Sequence, residues 1–442
     1  MRRLLSAIAA GWAMAAPAQP AAVPPPPAPV ALSSSAEKVY AQAKPRLIQV
    51  RTLLASANRQ STIGSGFVVG PDGVAVTNYH VVSQFALEPQ TYRLEYRAPD
   101  GASGPLALLA FDVVHDLAVV RLDKPLAVHF EFDPRAVDGT LAKGERLYSM
   151  GNPLDLGFTI VEGTYNGLVD RSYNEQVHFS GALNAGMSGG PTVTGEGRVA
   201  GVNVAVSRRG QLVSFLVPAR HADALVKRAR EPLALDAKGT RAELGRQLAA
   251  WQAGFHRDLA GTGFKPAIFG AYRAPESQAP WFQCWASTNA DAVPRPRYRS
   301  SNTQCSTQSE IFVTQSLSSG RVEVTHEHLV ALDLHALQFA SIVTERAQAR
   351  SGEAGSRKHL TRPRCVTEPL RPPEGSSRPP VLARFCARAY RDFDGLFNAT
   401  LTTVTQDRQA EALVSRLSMQ GVTWENALAL SRRFLGEIRW AK

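Results

Sequence analysis

The chain has 442 residues and a formal net charge of +11, which gives it room for two or three domains that each bury a core. After the first 20 residues no apolar run is long enough to span a bilayer, which excludes a membrane-spanning helix there. Residues 221–442 hold 30 Lys+Arg and 21 Asp+Glu, so most of the positive excess lies in the second half. Such a half is most simply a solvated surface; the alternative is binding to nucleic acid, acidic polysaccharide or anionic lipid.

The N-terminus has the order of an export signal. Arg2 and Arg3 precede an apolar segment from Leu4 to about Ala16, which is followed by small residues suited to cleavage. We expect a signal peptide over residues 1–18 and a Pro-rich linker over residues 19–36, hence a periplasmic or secreted bacterial protein. The arginine pair alone does not separate the general from the twin-arginine export route.

All four cysteines lie in the second half. An even number of cysteines in an exported chain favours disulfides, and three pairings are possible. We favour Cys284–Cys305 and Cys365–Cys386, because each closes a short loop rich in Pro and Arg. Metal binding is the rival interpretation, but no Cys-x-x-Cys pair is present, and we predict neither a metal nor a cofactor.

The first half is rich in short apolar and β-branched runs separated by glycine or proline turns every 8–15 residues. One such pair is Gly64–Val69 and Val74–Val76, joined by a Pro-Asp-Gly turn that predicts a hairpin. Little helical periodicity is present, so the pattern predicts an all-β barrel or sandwich.

Three residues of this half could form a catalytic set. Ser188 lies in a glycine-rich turn, Gly186 to Pro191, where glycines expose a hydroxyl and allow close approach of a carbonyl. Each residue has an ordinary alternative: Ser188 as a chain reversal, His80 as a half-buried histidine, and Asp116 as a solvated turn residue. Together, in one β-rich region, they supply the nucleophile, base and orienting carboxylate that acyl transfer to serine requires.

At this point the sequence resembles the trypsin-like serine peptidases, specifically their bacterial HtrA (Deg) branch. The resemblance covers about residues 40–220 and rests on seven ordered blocks: Gly64–Phe67, Thr77–Val82, Asp116–Val120, Gly151–Pro153, Asn184–Pro191, Gly201–Asn203 and Phe215–Pro218. It implies two perpendicular β-barrels with the active site between them. His80 would act as general base and acid, Asp116 would orient it, and the N–H groups of Gly186 and Ser188 would form the oxyanion hole. Activity should fall as pH drops through the pKa of the histidine.

Two positions depart from the family pattern. Met187 stands where trypsin-type zymogens carry an aspartate that pairs with a new N-terminus, so we infer no activation by that ion pair. Ala185 replaces the usual proline of the branch, which makes the turn less rigid. Leu183 matches a position that lines the primary specificity pocket, with Val202 and Val204 as further candidates. This apolar lining predicts small or medium aliphatic side chains before the scissile bond.

Past Pro218 the resemblance stops, and no PDZ-type carboxylate-binding loop follows. We expect a trypsin-like domain over 37–225, a helical connector over 235–262 with a packing stripe from Leu244 to Leu259, and an α+β domain over 263–442. Strands are predicted over Phe282–Ala286, Ser309–Thr314, Val322–Ile342, Leu382–Tyr390 and Gly395–Thr405. A long loop is predicted over 348–380, and helices over Arg408–Met419 and Trp424–Trp440. The overall fold class is thus a chymotrypsin-like double barrel followed by a separate α+β, disulfide-containing domain.

Two other features of the second half invite functional interpretations. His326 and His328 would share a strand face, yet no third metal ligand is apparent, so a solvated face is the simpler prediction. Trp281, Trp285 and the arginines from Arg295 to Arg299 would permit binding of sugar or nucleic acid.

The sequence therefore predicts an exported serine endopeptidase that acts on unfolded or extended protein segments. The alternatives are a chaperone-like or binding protein with an inactive or secondary protease fold, and an envelope-polymer-binding module in the basic half. Protein or peptide substrates and a possible homo-oligomer are the expected partners; no specific nucleic acid or membrane partner is predicted.

Overall fold

The structure is a computed structural model that describes residues 34–206, 213–231, 236–277, 279–348 and 357–441. The predicted signal peptide, 1–18, and residues 19–33 of the predicted linker lie outside the described residues. A short helix, α1 (Ser34–Ala43), leads into the first strand. No helix in the described ranges is both long and apolar enough to cross a membrane.

Within the described residues, a first closed antiparallel barrel follows α1. Its strands run in the spatial order β1-β2-β3-β6-β5-β4, and a helix, α2 (Tyr79–Leu87), leaves the end of β3. The buried, β-branched residues of these strands fill the barrel, as the period-two alternation of side chains along a strand requires. The strands are β1 (Leu47–Leu54), β2 (Arg59–Val68), β3 (Val74–Thr77), β4 (Tyr92–Arg97), β5 (Ser103–Asp112) and β6 (Leu117–Leu122).

A second closed barrel follows, in the order β10-β11-β12-β9-β8-β7. Its strands are β7 (Arg146–Gly151), β8 (Thr159–Leu168), β9 (Val177–Phe179), β10 (Pro191–Val193), β11 (Val199–Val206) and β12 (Ser214–Pro218). Helices α3 (Pro134–Asp138) and α4 (Ala219–Arg228) flank it. Buried residues of the two barrels, including Phe67 and Val119 of the first and Met150 and Val217 of the second, form one shared cluster. The predicted chymotrypsin-like double barrel is confirmed.

The remaining chain is a separate α+β region, also as predicted. The long helix α5 (Ala237–Thr262) precedes β13 (Phe264–Phe269), β14 (Tyr272–Ser277), β15 (Phe282–Thr288), β16 (Tyr298–Thr307), β17 (Ile311–Thr314), β18 (Leu317–Ser319) and β19 (Val322–Ala331). Then come α6 (Ala336–Gln348), β20 (Arg364–Leu370), β21 (Val381–Ala389), β22 (Leu396–Thr405), β23 (Glu411–Thr423), α7 (Trp424–Gly436) and β24 (Arg439–Trp440). In the described ranges, seven of these strands form an antiparallel sheet in the order β15-β16-β19-β23-β22-β21-β20.

Several predicted elements of this region were wrong. Residues 411–423 form strand β23 rather than a helix, because pairing with both β19 and β22 outweighs the local helical pattern. The predicted strand Val322–Ile342 ends at Ala331, and α6 follows it; strand β20 occupies part of the predicted loop 348–380. The last helix ends at Gly436, after which β24 pairs with β14.

Both disulfides join the cysteines that the sequence analysis paired. Cys284 lies directly opposite Cys305 on β15 and β16, and Cys365 opposite Cys386 on β20 and β21. Each bond therefore fastens an outer strand of the seven-stranded sheet to its neighbour. Because the paired cysteines are 21 positions apart, each loop closure is worth roughly 3 kcal/mol in the chain-entropy account.

The α+β region also packs against the first barrel. The buried cluster that holds Ile48 and Tyr79 of the barrel also holds Leu248 of α5 and Ile311 and Leu317 of the hairpin β17–β18. The predicted apolar stripe of α5 is thus used in packing: Leu244, Leu248, Phe255 and Leu259 are buried. Because the cluster is continuous, the position of the second half is tied to that of the first barrel.

His326 does not lie on a solvated strand face as predicted. Its side chain is buried, and its Nε2 and Nδ1 lie 2.8 Å from the Pro275 carbonyl oxygen and the Ser415 Oγ. Because a carbonyl only accepts, Nε2 carries the proton and Nδ1 accepts from the hydroxyl. Burial lowers the pKa of His326 to about 4. His328 instead lies 2.8 Å from a carboxylate oxygen of Glu411.

The described residues contain one cluster compact enough to bind a metal, formed by Glu276, Cys284 and Cys305. Both of its sulfurs are already joined in a disulfide, so they are not available as thiolate ligands.

We predict that replacing His326 with glutamine will flatten the acid side of the stability profile. An unfolded histidine binds a proton near pH 6.5, whereas folded His326 does so only near pH 4. The unfolded state therefore binds more protons in this window, and the free energy of unfolding falls as pH drops from about 6.5 to about 4. Urea unfolding at several pH values should show a shallower fall for His326→Gln than for the wild type. The exposed His335→Gln serves as control, and identical slopes for all three proteins would contradict the prediction.

Candidate active site

His80 and Asp116 are brought together at one end of the first barrel. Strand β3 ends at Thr77, and His80 is the second residue of α2, which begins directly afterwards. Asp116 immediately precedes β6, the neighbour of β3 in the barrel. The two residues are far apart in sequence, but the pairing of β3 with β6 places both at the same barrel edge.

Asp116 bonds both to the imidazole and to the backbone that carries it. Its Oδ2 lies 2.6 Å from His80 Nδ1, and its Oδ1 accepts from the His80 backbone N–H at 2.8 Å. Its carbonyl oxygen accepts from the Tyr79 backbone N–H at 3.1 Å and from Asn78 Nδ2 at 2.8 Å. Asp116 thus satisfies N–H groups of the first turn of α2 that have no partner inside the helix. Its left-handed backbone, with φ of 55°, is a conformation that Asp and Asn tolerate.

The electrostatics favour a general base at His80. Burial of the ring lowers the pKa of His80, but the charge of Asp116 and the hydrogen bond that the ring donates to its carboxylate raise the pKa by more, so the net pKa lies above the usual 6.5. Since the carboxylate only accepts, Nδ1 donates to it and Nε2 is left as the free acceptor of the neutral ring. The side chain of His80 is 29% exposed, which leaves part of the ring open to a substrate.

Ser188 lies in the turn that precedes β10 of the second barrel, and the glycines of this turn allow it to approach the first barrel. Gly189 has a φ of 84°, and a Cβ there would lie 2.8 Å from the Asn78 nitrogen. A Cβ on Gly64 would lie 2.5 Å from the Val81 side chain and 3.0 Å from the Ser188 carbonyl oxygen. The turn therefore lies directly against the chain on both sides of His80, and larger residues would push it away.

The Ser188 hydroxyl itself is bonded within the second barrel. Ser188 Oγ donates to the Val204 carbonyl oxygen at 3.4 Å. Its hydrogen bond thus goes to β11 and not to the imidazole of His80. The side chain is half-exposed, so rotation about its Cα–Cβ bond can redirect the hydroxyl without moving the backbone.

The turn also presents two free backbone donors. Among the described residues, the N–H groups of Gly186 and Ser188 have no hydrogen-bond acceptor, whereas those of Met187, Gly189 and Gly190 do. Both residues are half-exposed. These are the two N–H groups that the resemblance assigned to the oxyanion hole, and free donors in a glycine turn can receive a developing negative charge.

Two buried polar residues that the sequence analysis did not single out hold this turn. Ser65 donates from its backbone N–H to the Ser188 carbonyl at 2.8 Å and from its Oγ to the Gly186 carbonyl at 2.8 Å. Asn203 donates through Nδ2 to the carbonyls of Met150 and Met187. Its Oδ1 accepts from the hydroxyls of Ser149 and Thr192, so all four of its hydrogen-bond positions are used. Both residues occur in the quoted blocks, Gly64–Phe67 and Gly201–Asn203, but only their tertiary contacts show this role.

The side chain of Met187 points into the second barrel. It is buried beside Leu147, Phe179 and Leu216, so in this chain the residue before the serine anchors the turn through apolar packing. A Cβ on Gly151 would lie 2.7 Å from the Met187 Cα, which shows how closely the turn packs on β7.

The three residues predicted to line the specificity pocket occupy different environments. Leu183 is buried in the same cluster as Met187. Val202 is fully buried in the cluster shared by the two barrels. Val204 is half-buried, and its carbonyl is the acceptor of the Ser188 hydroxyl.

Part of the chain is similar to known proteins. Residues 64–202, which include His80, Asp116 and Ser188, match the family of trypsin-like peptidase domains. A probable periplasmic serine endoprotease, DegP-like, of Chlamydia pneumoniae is 30% identical over 196 residues, 42% of this chain and 38% of that protein. The chloroplastic protease Do-like 1 of Arabidopsis thaliana is 30% identical over 166 residues, 35% of this chain and 36% of that protein. The crystal structure of the serine endoprotease from Yersinia pestis has a TM-score of 0.38 and 23% identity, covering 45% of this chain and 68% of that one.

Residues 64–202 of the chain thus match the trypsin-like peptidase domain. Within that class it resembles the DegP-like (HtrA) endoproteases. The chain spans little more than a third of the length of the two sequence relatives. The family match over residues 64–202 does not include the α+β region.

We predict that Asn203→Ala will destabilise the protein and loosen the serine turn. The substitution leaves two buried carbonyls and two buried hydroxyls without this partner, at a cost of at least about 2 kcal/mol. Chemical denaturation of the variant, with the more exposed Asn166→Ala as control, measures the loss. A change in stability no larger for Asn203→Ala than for Asn166→Ala would contradict the role assigned to Asn203.

Proposed function

We propose that this protein is an exported serine endopeptidase that cleaves unfolded or extended protein segments through an acyl-enzyme. The observation that carries the proposal is the double contact of Asp116 with His80, its carboxylate on the ring and on the backbone, beside a serine turn with two unused N–H donors. Support for export comes from the N-terminal sequence pattern, from the two disulfides and from relatives named as periplasmic.

The reaction would begin when the Ser188 hydroxyl turns from the Val204 carbonyl to His80 Nε2. His80 removes the proton while Ser188 Oγ attacks the peptide carbonyl, and the N–H groups of Gly186 and Ser188 stabilise the oxyanion. The protonated ring, held by Asp116, then donates its proton to the leaving amine as the C–N bond breaks, leaving an ester on Ser188. A water molecule, deprotonated by His80, hydrolyses the ester and restores the serine.

The proposed preference before the scissile bond is a small or medium aliphatic side chain. Support comes from Leu183, which shares a buried apolar cluster with Met187, and from Val204, whose carbonyl accepts from the Ser188 hydroxyl. Val202 would support the pocket from the core shared by the two barrels. A peptide library read by the residue before the cleaved bond tests this preference, and a profile dominated by Arg or Lys would contradict it.

A chaperone-like function is the second candidate. It is favoured by one observation, the hydrogen bond of the Ser188 hydroxyl to Val204 in place of His80. In this alternative the cleft holds extended chains without cleaving them.

We predict that a fluorophosphonate probe will label the wild type but not Ser188→Ala, and that His80→Ala will be labelled at least a hundredfold more slowly. The probe forms a bond only with an activated serine hydroxyl, which requires the base. Casein cleavage should be lost in the same variants that lose labelling. The control is Ser172→Ala, which changes a serine elsewhere in the second barrel region and should be labelled as the wild type is. An unlabelled wild type that still suppresses aggregation of an unfolded protein would favour the chaperone instead.

We predict that kcat/KM will rise with pH through an apparent pKa above 6.5, and that Asp116→Asn will lower kcat about 10⁴-fold. The base must be neutral to accept the serine proton, and Asp116 raises the pKa of His80, so activity appears as pH rises through that value. Asparagine suits the left-handed backbone and can still accept from the His80 N–H, which separates the loss of charge from a loss of fold.

A pH–rate profile of both proteins, with circular dichroism of each, gives the comparison. Activity that is unchanged in Asp116→Asn, or that rises toward low pH, would contradict the role assigned to the pair.

A further inference from the structure

A segment of the α+β region, Ser309–Ser319, lies beside the histidine and contacts both barrels. At one end, the buried Ser309 Oγ accepts from the backbone N–H groups of Tyr173 and Asn174, at 2.9 and 3.1 Å, in the second barrel region. At the other, the hairpin β17–β18 packs against α2 and β5 of the first barrel. The segment thus joins the first barrel, at the helix that carries His80, to residues 173–174 of the second barrel region.

The hairpin is fixed firmly on the side of His80. Ile311, Val313 and Leu317 are buried in the cluster that includes Tyr79. The Tyr79 hydroxyl donates to the Val313 carbonyl oxygen at 3.2 Å in this buried environment. Because Tyr79 immediately precedes His80, this bond ties the hairpin backbone to the residue next to the proposed base.

Phe312 lies between two of these anchors and is only partly buried. It packs against the edge of the same cluster, with its ring centroid 6.4 Å from that of Tyr79. Its ring meets the imidazole of His80 edge to face, with centroids 5.9 Å apart and an angle of 69° between the planes. A partly exposed aromatic ring therefore adjoins the imidazole of the proposed base, which is itself partly exposed.

A substrate that passes His80 must also pass Phe312. The peptide has to place its carbonyl carbon at Ser188 and its leaving nitrogen within reach of His80 Nε2. A side chain next to the scissile bond then lies over the imidazole, where the ring of Phe312 offers apolar surface and no hydrogen-bonding group. This apolar surface favours binding of an apolar substrate side chain. A polar side chain would be partly desolvated there without a hydrogen-bond partner.

We propose that Phe312 is a specificity-determining residue, and that the α+β region completes the peptidase site by supplying an apolar wall beside His80. The proposal rests on the proposed peptidase function. Phe312 would select peptides that carry an aliphatic or aromatic side chain at one position next to the scissile bond, the position whose side chain faces His80. This selection would add to the preference proposed for the residue bound near Leu183.

The test compares the wild type with Phe312→Ala, Phe312→Leu and a matched control, Phe397→Ala. Phe397 is also half-exposed and packs edge to face on Trp424, in the α+β region but against α7 rather than the barrels. Each protein is profiled with a library of peptides in which every position near the cleaved bond is varied in turn. Thermal unfolding of each variant shows whether it is folded.

We expect the wild type to prefer apolar over glycine at one position beside the scissile bond by roughly 10- to 100-fold in kcat/KM. Phe312→Ala should lose that preference, because its kcat/KM should fall by that factor for the apolar peptides and by much less for the glycine peptide. Phe312→Leu should keep part of the preference, and Phe397→Ala all of it. A loss that is equal for apolar and glycine peptides, or no loss at all, would overturn the proposal.

Failure of the proposed function gives a different result. If the wild type cleaves none of the peptides and does not react with the fluorophosphonate, binding of the same peptides to Ser188→Ala and to Ser188→Ala with Phe312→Ala is measured by calorimetry. A selective loss of affinity for the apolar peptides would still support the wall at Phe312. Equal affinities, or no binding to either protein, would overturn it.

Discussion

The arrangement of this protein depends on the contacts of Asp116. One carboxylate oxygen holds the imidazole of His80, while the other and the backbone carbonyl hold the N–H groups at the start of α2. These N–H groups carry the positive end of the helix dipole, so a carboxylate is favoured there even before the histidine is considered. Since one residue fixes both the ring and the backbone that carries it, the proposed base can turn only if the helix start also moves.

The serine turn depends on a different kind of constraint. Its position against the first barrel is set by the lack of side chains at Gly64 and Gly189, and its shape by the buried hydrogen bonds of Ser65 and Asn203. Apolar packing of the buried Met187 side chain anchors the turn to the second barrel. In trypsin-type zymogens the residue before the serine makes an ion pair, whereas here it contributes only to the core. We therefore infer no activation through an ion pair at Met187. The Ser188 hydroxyl, which bonds to Val204, is the part of the turn that is free to move.

The α+β region contacts both the first barrel and the candidate active site. Helix α5 and the hairpin β17–β18 share buried residues with the first barrel, and Gln247 of α5 exchanges hydrogen bonds with the backbone of Val113 and Phe111. The hairpin then carries Phe312 to His80. The two disulfides fasten the outer strands of the sheet to their neighbours and so stabilise the body from which the hairpin extends.

From local patterns, namely short strands and glycine or proline turns, the sequence alone predicted an all-β barrel or sandwich and favoured one of three cysteine pairings. Its short ordered motifs indicated His80, Asp116 and Ser188 as candidates, and the resemblance that these motifs carry implied the double barrel. The sequence also indicated the apolar stripe of α5. It misjudged residues 411–423, whose strand state comes from two partner strands, and His326, whose burial comes from β14 and β23. Only the tertiary structure decided that Ser65 and Asn203 hold the serine turn and that Phe312 adjoins His80. Ser65 lies 121 positions from Gly186, and the bond that fixes the hairpin at Tyr79 joins residues 234 positions apart. No local pattern encodes a contact made by closing the chain over such a separation.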